Sequence, residues 1–231
     1  MTTPWPTGRG TEGTPHLAVR GEAHLEAEPE LARLDVTITA RGTDRHTVLA
    51  DLTRRNTTAL ELIRGYGQAV TRLETGTLVV TPEPGKGRGE RVRAHHGRVR
   101  LTADLDDFTV LGELAGRLAD LDHTTLAGPW WSLRPDSPAH RTARVAAVTD
   151  AVRRAREYAQ ALGGELLALL ELADEGTDFG AVPVPRAFGA MSTAAPGGGE
   201  GPVVLDLEPQ RQTVRAQVTA RFTMTPPDLR G

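Results

Sequence analysis

The segment from Val214 to Met224 most constrains what this chain can fold into. Its apolar residues occupy every second position, with polar residues between them: Val214, Ala216, Val218, Ala220, Phe222 and Met224. Because successive side chains of a strand point to opposite faces, this pattern predicts a long strand with one buried face. Such a strand needs neighbouring strands and a second layer of structure on its apolar face.

Shorter stretches of the same alternation predict further strands. Leu17–Ala27 and Leu34–Ala40 flank a turn at Glu28-Pro29-Glu30, which favours a hairpin between them. The Leu-rich stretch Glu165–Leu172 is compatible with a strand or with the extension of a helix. The remaining predicted strands lie at 73–82, 92–105 (where Gly97 is interpreted as a bulge) and 124–133.

Three helices are predicted from their caps and periodicity. Asp44 and Ser137-Pro138 are typical helix starts, and Asp106 or Asp107 begins a further helix. The first helix ends near Gly65. Its one polar residue on the apolar face, Asn56, is interpreted as a hydrogen-bonded group, with a ligand contact as the alternative. The third runs to Leu162, with an inward stripe of Ala143, Ala147, Val148, Ala151, Ala155, Tyr158, Ala159 and Leu162.

The predicted order is therefore β-β-α-β-β-α-β-α-β-β. Helices interrupt runs of strands instead of alternating with single strands, which favours an α+β fold with an antiparallel or mixed sheet. We predict a disordered leader over 1–15, one domain over 16–224 and a tail over 225–231. Gly, Pro and Ala dominate 174–202, which predicts a long flexible loop inside that domain.

Composition excludes several classes of function. The net charge of -3 gives no basic excess for nucleic acid, and the lack of Cys excludes disulfides and thiol catalysis. Neither a signal peptide nor a run long enough to span a membrane is recognisable, so we expect a cytoplasmic protein. With only 4% aromatic residues, its core must be built from Ala, Val and Leu.

The sequence predicts no catalytic, cofactor or metal site. His95 and His96 are the candidate metal ligands, but adjacent residues of a strand face opposite sides, so only one could serve a given site. Acidic residues also cluster at predicted element ends, where solvated carboxylates are expected. They are Asp104, Asp106, Asp107, Glu171, Asp174 and Glu175.

Trp130 and Trp131 are the candidate interaction residues. The chain has only three Trp, and two of them are neighbours on a predicted strand. Their side chains must face opposite sides, so we expect one to be buried and the other to lie at a surface or interface.

The order and spacing of these motifs are similar to those of the SIMPL-domain family. The matching segments are Leu17–Gly42 with its Gly21-Glu22 and Pro29, the helix carrying Asn56, the strand at 73–82, Ser137–Leu172, and Val214–Met224. Together they cover nearly all of residues 16–224. This sequence has His95-His96-Gly97 where relatives tend to carry an aromatic residue, and it lacks the secretion signal of many bacterial relatives.

The resemblance implies a function without established catalytic residues. Some relatives are linked to oxidative stress, one type forms a ring-like oligomer, and an animal relative associates with a signalling kinase. We therefore predict a non-enzymatic, self-associating protein, with a stress-related role or a protein partner. The alternatives are a small-ligand-binding module closed by the 174–202 loop and, third, a hydrolase using His95 or His96.

Overall fold

The computed structural model describes residues 10–85, 92–179 and 205–227. Within these residues the chain forms seven strands and three helices in the predicted order, and all strand pairs are antiparallel, which confirms the α+β class. The elements are β1 (His16–Ala27), β2 (Leu31–Gly42), α1 (Arg45–Arg64), β3 (Val70–Pro84), β4 (Val92–Leu105), α2 (Leu111–Ala119), β5 (Thr124–Ser132), α3 (Pro138–Ala161), β6 (Leu166–Phe179) and β7 (Gln212–Met224).

The chain divides into two compact units. The three-stranded unit holds a sheet in the order β1-β7-β6, with α3 packed mainly on β1 and β7. The four-stranded unit holds a sheet in the order β3-β4-β2-β5, together with α1 and α2. That residues 16–224 fold as one domain stays a prediction.

A stripe of alanines seats α3 on the three-stranded sheet. The small side chains let the helix backbone approach the strands closely, and every alanine of the stripe is buried: Ala143, Ala147, Ala151, Ala155 and Ala159. The facing side of β7 is the alternating row from Val214 to Met224, and all six of its apolar residues are buried as predicted. Tyr158 and Leu162 were expected to face inward, but 56% and 39% of their surfaces are exposed.

The core of the four-stranded unit is aliphatic, as the low aromatic content predicts. The inward rows of β2 and β4 pack against the buried faces of α1 and α2. Its fully buried members include Leu34, Val36, Ile38, Leu101, Leu105, Leu111, Leu114 and Leu118. Asp44 caps α1 as predicted, accepting a hydrogen bond from the Thr47 amide at 2.8 Å.

Several local predictions are wrong. β1 and β2 do not form a hairpin, because β1 pairs with β7 while β2 pairs with β4 and β5. Helix α2 begins at Leu111, and Asp107 accepts instead from the Thr109 amide in the turn before it. Gly97 pairs in register with Ala40 and Val80, so it is not a bulge.

The strand β6 is longer than its sequence suggests. Residues 174–179, assigned to the flexible loop, continue β6 because β7 supplies a pairing partner as far as Phe179. The rest of the predicted loop, from 180 to 202, lies outside the described residues, as do residues 1–9 of the leader and 228–231 of the tail.

Candidate interaction surface

The most unusual surface of the described chain is the first half of β6. β6 is an edge strand, paired with β7 on one side, and no described strand lies on its other side. Its pairing with β7 shifts register after Leu166, Leu169 and Asp174, so Leu167 and Leu170 are extra residues without a partner on β7. These local bulges leave a leucine-rich stretch along the edge.

Exposed apolar side chains concentrate at this edge. Of the eleven large apolar side chains that are exposed among the described residues, six lie between 158 and 172: Tyr158, Leu162, Leu167, Leu169, Leu170 and Leu172. The four leucines of β6 are 46–58% exposed. Single exposed leucines need no explanation, but contiguous apolar patches commonly mark interaction sites. Their exposure is not predictable from the sequence, because a run of leucines is equally typical of a buried strand.

The other three sheet edges carry features that discourage further pairing. On β1, the Glu22 amide donates to the Asp150 carboxylate of α3 at 3.0 Å. Both edge strands of the four-stranded sheet contain prolines, which have no amide hydrogen to offer: Pro129 in β5, and Pro82 and Pro84 in β3. Between Leu166 and Leu172, β6 has one charged residue and no proline.

The face of the three-stranded sheet that points away from α3 carries a shallow depression of about 530 Å³. Its lining residues are Ala18, Val19, Arg20, Glu175, Thr219 and Arg221. The Glu175 carboxylate accepts hydrogen bonds from Thr219, from Arg20 at 2.6 Å and from Gln217 at 3.1 Å. The Thr219 and Arg20 bonds hold the pKa of Glu175 below its usual value, so the carboxylate stays ionised.

The two candidate tryptophans occupy opposite faces of β5, as their adjacency requires. Trp131 pairs with buried Ala32 and packs on the core, where its ring meets Phe108 edge-on with centroids 4.8 Å apart. Trp130 pairs with Arg33 on the other face. Both side chains are half-buried. The two residues therefore differ in the face they occupy but not, as was expected, in how deeply they are buried. An interaction role for Trp130 stays a prediction.

His95 and His96 also point to opposite faces of their strand. His96 Nε2 lies 2.7 Å from the Glu83 carboxylate, which also accepts from Arg41 at 2.7 Å. The Arg41 bond, followed by the His96 bond, lowers the pKa of Glu83, so this carboxylate is a poor proton donor. No three His, Asp or Glu side chains converge on a metal-binding geometry within 10–85, 92–179 and 205–227.

One of the acids expected to be solvated is in fact buried. Asp104 is only 5% exposed and holds Arg33 through two hydrogen bonds, of 2.6 and 2.9 Å. The expectation failed because Asp104 lies inside β4 and pairs with Arg33 of β2, a neighbour that sequence spacing does not reveal. Asp106, by contrast, forms an exposed ion pair with Arg134 at 2.7 Å.

Two polar atoms of the four-stranded unit are buried without a hydrogen bond. Neither Asn56 Oδ1 nor His95 Nδ1 has a partner among the described residues. The interpretation of Asn56 as a hydrogen-bonded group is therefore wrong for its carbonyl oxygen within this part of the chain.

The two tryptophans give a prediction for stability. Trp131→Ala should lower the free energy of unfolding by about 3 kcal/mol, because it removes a ring packed against the core and its edge contact with Phe108. Trp130→Ala should cost about 1 kcal/mol, since that ring lies on the face of β5 that does not pack on this core. Urea unfolding followed by circular dichroism measures both, and equal losses would contradict the assignment of faces.

No described helix is long and apolar enough to cross a membrane.

Comparison with known proteins identifies the family. No curated protein matches the chain. A family model described as SIMPL, protein of unknown function (DUF541), matches residues 17–222, which is most of the chain and both compact units. The chain therefore belongs to the SIMPL family, whose biochemical function is not established.

Proposed function

We propose that this protein is a non-catalytic, self-associating member of its family. The observation that carries the proposal is the leucine edge, defined as Leu167, Leu169, Leu170 and Leu172 of β6. These four side chains lie together on an edge strand, and each is about half exposed. The leucine edge offers apolar surface and backbone groups that no described strand pairs, and both features favour association through sheets.

The expected contribution of this edge is large enough to measure. Covering the exposed half of one leucine stabilises a complex by about 1 kcal/mol. Replacing two leucines in each copy removes four from an associated pair, which makes association less favourable by about 4 kcal/mol. Since each 1.4 kcal/mol is roughly tenfold in Kd, their loss weakens the pair roughly a thousandfold.

Solution mass tests the proposal. At tens of micromolar, light scattering coupled to size exclusion should give a mass well above the 24.7 kDa of one chain. The double variant L169T/L172T should return the mass towards that of one chain, because Thr keeps strand propensity while removing the apolar surface.

A matched control separates the leucine edge from general surface hydrophobicity. Leu78 and Val145 are equally exposed, at 56% and 58%, and lie on β3 and α3. The variant L78T/V145T should leave the mass unchanged. A native protein with the mass of one chain, or equal effects of both double variants, would overturn the proposal.

A small-ligand-binding module remains the second candidate, on the strength of the depression beside Glu175. It is less favoured because the Glu175 carboxylate already has three partners within the chain, which leaves it little capacity to recognise a ligand. The loop at 174–202, which would close over such a ligand, lies largely outside the described residues. A stress-related role stays a prediction from the family resemblance.

A hydrolase using His95 or His96 has the least support. The two rings face opposite sides of β4, and the acid beside His96 is an ion-paired carboxylate. Although Thr81 of β3 stands opposite His96, neither imidazole ring hydrogen-bonds a hydroxyl group in the described part of the chain. The family, in addition, is one of unknown function rather than a known enzyme family.

A further inference from the structure

We infer that β6 pairs antiparallel with β6 of a second copy, about a two-fold axis at Leu169. This inference rests on the proposed self-association and specifies its geometry. The pairing joins two three-stranded sheets into one continuous six-stranded sheet, in the order β1-β7-β6-β6-β7-β1. It also satisfies the outer backbone groups of β6, which no described strand pairs.

The faces of β6 follow from its register with β7. Leu166, Leu169 and Leu172 stand opposite Met224, Phe222 and Ala220, which are buried on the side that α3 covers. Ala168, Glu171 and Ala173 stand opposite Thr223, Arg221 and Thr219 on the other side. Opposed residues of an antiparallel pair share a face. A residue on the side of α3 must therefore stand opposite a residue that is also on the side of α3.

Only some registers between two copies set residues of the same face opposite each other. An axis at Leu169 places Leu166 opposite Leu172 of the second copy and Leu169 opposite itself, all on the side that α3 covers. An axis midway between Ala168 and Leu169 would set Ala168 against Leu169, which lie on opposite faces. That register is excluded because paired residues cannot point to different sides.

Charge disfavours two neighbouring registers. An axis at Ala168 would set Glu165 against Glu171, and an axis midway between Leu169 and Leu170 would set Glu165 against Asp174. Like charges directly opposite each other destabilise a strand pair. With the axis at Leu169, Glu165 meets Ala173, Glu171 meets Leu167 and Asp174 meets Gly164. This register therefore avoids pairs of like charges and sets the leucines on the side of α3 against one another.

Single introduced cysteines test this geometry, because the native chain has none. A disulfide requires Cα atoms about 4.4–6.8 Å apart, which an antiparallel pair provides at the axis. The L169C protein should therefore form a covalent dimer under mild oxidation on a non-reducing gel. An equimolar mixture of L166C and L172C should crosslink as well, since those positions oppose each other.

The matched control is L172C alone. Leu172 lies on the same strand and face and is similarly exposed, at 46% against 54% for Leu169. Its copy would stand six residues out of register, about 20 Å away, which is too far for a disulfide. L169C should give at least about fivefold more covalent dimer than L172C.

The outcomes separate this inference from the proposed function. If the native protein is oligomeric but L169C and L172C crosslink equally or not at all, the pairing is wrong while self-association stands. If the native protein has the mass of one chain, both fall, and the edge has another occupant, such as residues 180–204 or a different protein.

Discussion

Replacing Gly21 by Ala should lower the free energy of unfolding by about 3 kcal/mol or more. Gly21 lies in β1 opposite Val218, on the face that α3 covers. A Cβ at this position would lie 2.6 Å from the Ala151 backbone nitrogen and 2.7 Å from Ala151 Cβ, and closer still to the Ala147 carbonyl oxygen. Backbone atoms cannot rotate away, so the helix and sheet must separate.

A second glycine provides the control for this prediction. Gly76 also lies in a strand, and a Cβ there would meet only the Arg100 carbonyl oxygen, at an ordinary 3.5 Å. Gly76→Ala should change the free energy of unfolding by less than about 0.5 kcal/mol. Urea unfolding by circular dichroism measures both variants. A loss under about 1 kcal/mol for Gly21→Ala would mean that α3 does not approach β1 this closely.

Local pattern was enough to locate most elements. Alternation predicted β7 almost to the residue, and the caps at Asp44 and Ser137 predicted where α1 and α3 begin. Each of these signals depends on residues within one or two turns of each other, where backbone geometry fixes the periodicity. The glycine at position 21 was visible in the sequence, but its steric role depends on a helix more than a hundred residues away.

Pairing partners could not be predicted in the same way. The turn at 28–30 suggested a hairpin, yet β1 finds its partner in β7, at the far end of the chain. Residues 174–179 lack apolar alternation and still form part of β6, because β7 supplies backbone partners as far as Phe179. The burial of Asp104 likewise depends on Arg33, which only the pairing of β2 with β4 brings alongside.

The leucine edge escaped prediction for a related reason. A leucine-rich stretch predicts burial, and the row of β6 on the side of α3 would be buried if the helix extended over it. Instead α3 packs mainly on β1 and β7, so that row is left uncovered. The candidate site therefore depends on where one helix is seated, which the sequence of β6 does not contain.

The packing of α1 on β4 gives the second prediction, a coupled pair of substitutions. Gly97→Ala should destabilise the protein by about 2 kcal/mol, because its Cβ would lie 2.8 Å from Val48 Cγ1 and 3.1 Å from Leu52 Cγ, and closer to Leu52 Cδ1. Leu52→Ala should cost about 3 kcal/mol, since Leu52 is only 2% exposed.

The double variant should cost less than the sum of the two single losses, by about 1–2 kcal/mol. At Gly97 the obstructing atoms are the ends of side chains, so truncating Leu52 makes room for the new methyl group, which in turn fills part of the cavity. At Gly21 the obstructing atoms include helix backbone, and no truncation can remove them. Strict additivity of Gly97→Ala and Leu52→Ala in urea unfolding would show that Leu52 is not what limits the size of residue 97. Gly97 would then need a reason other than the close approach of α1.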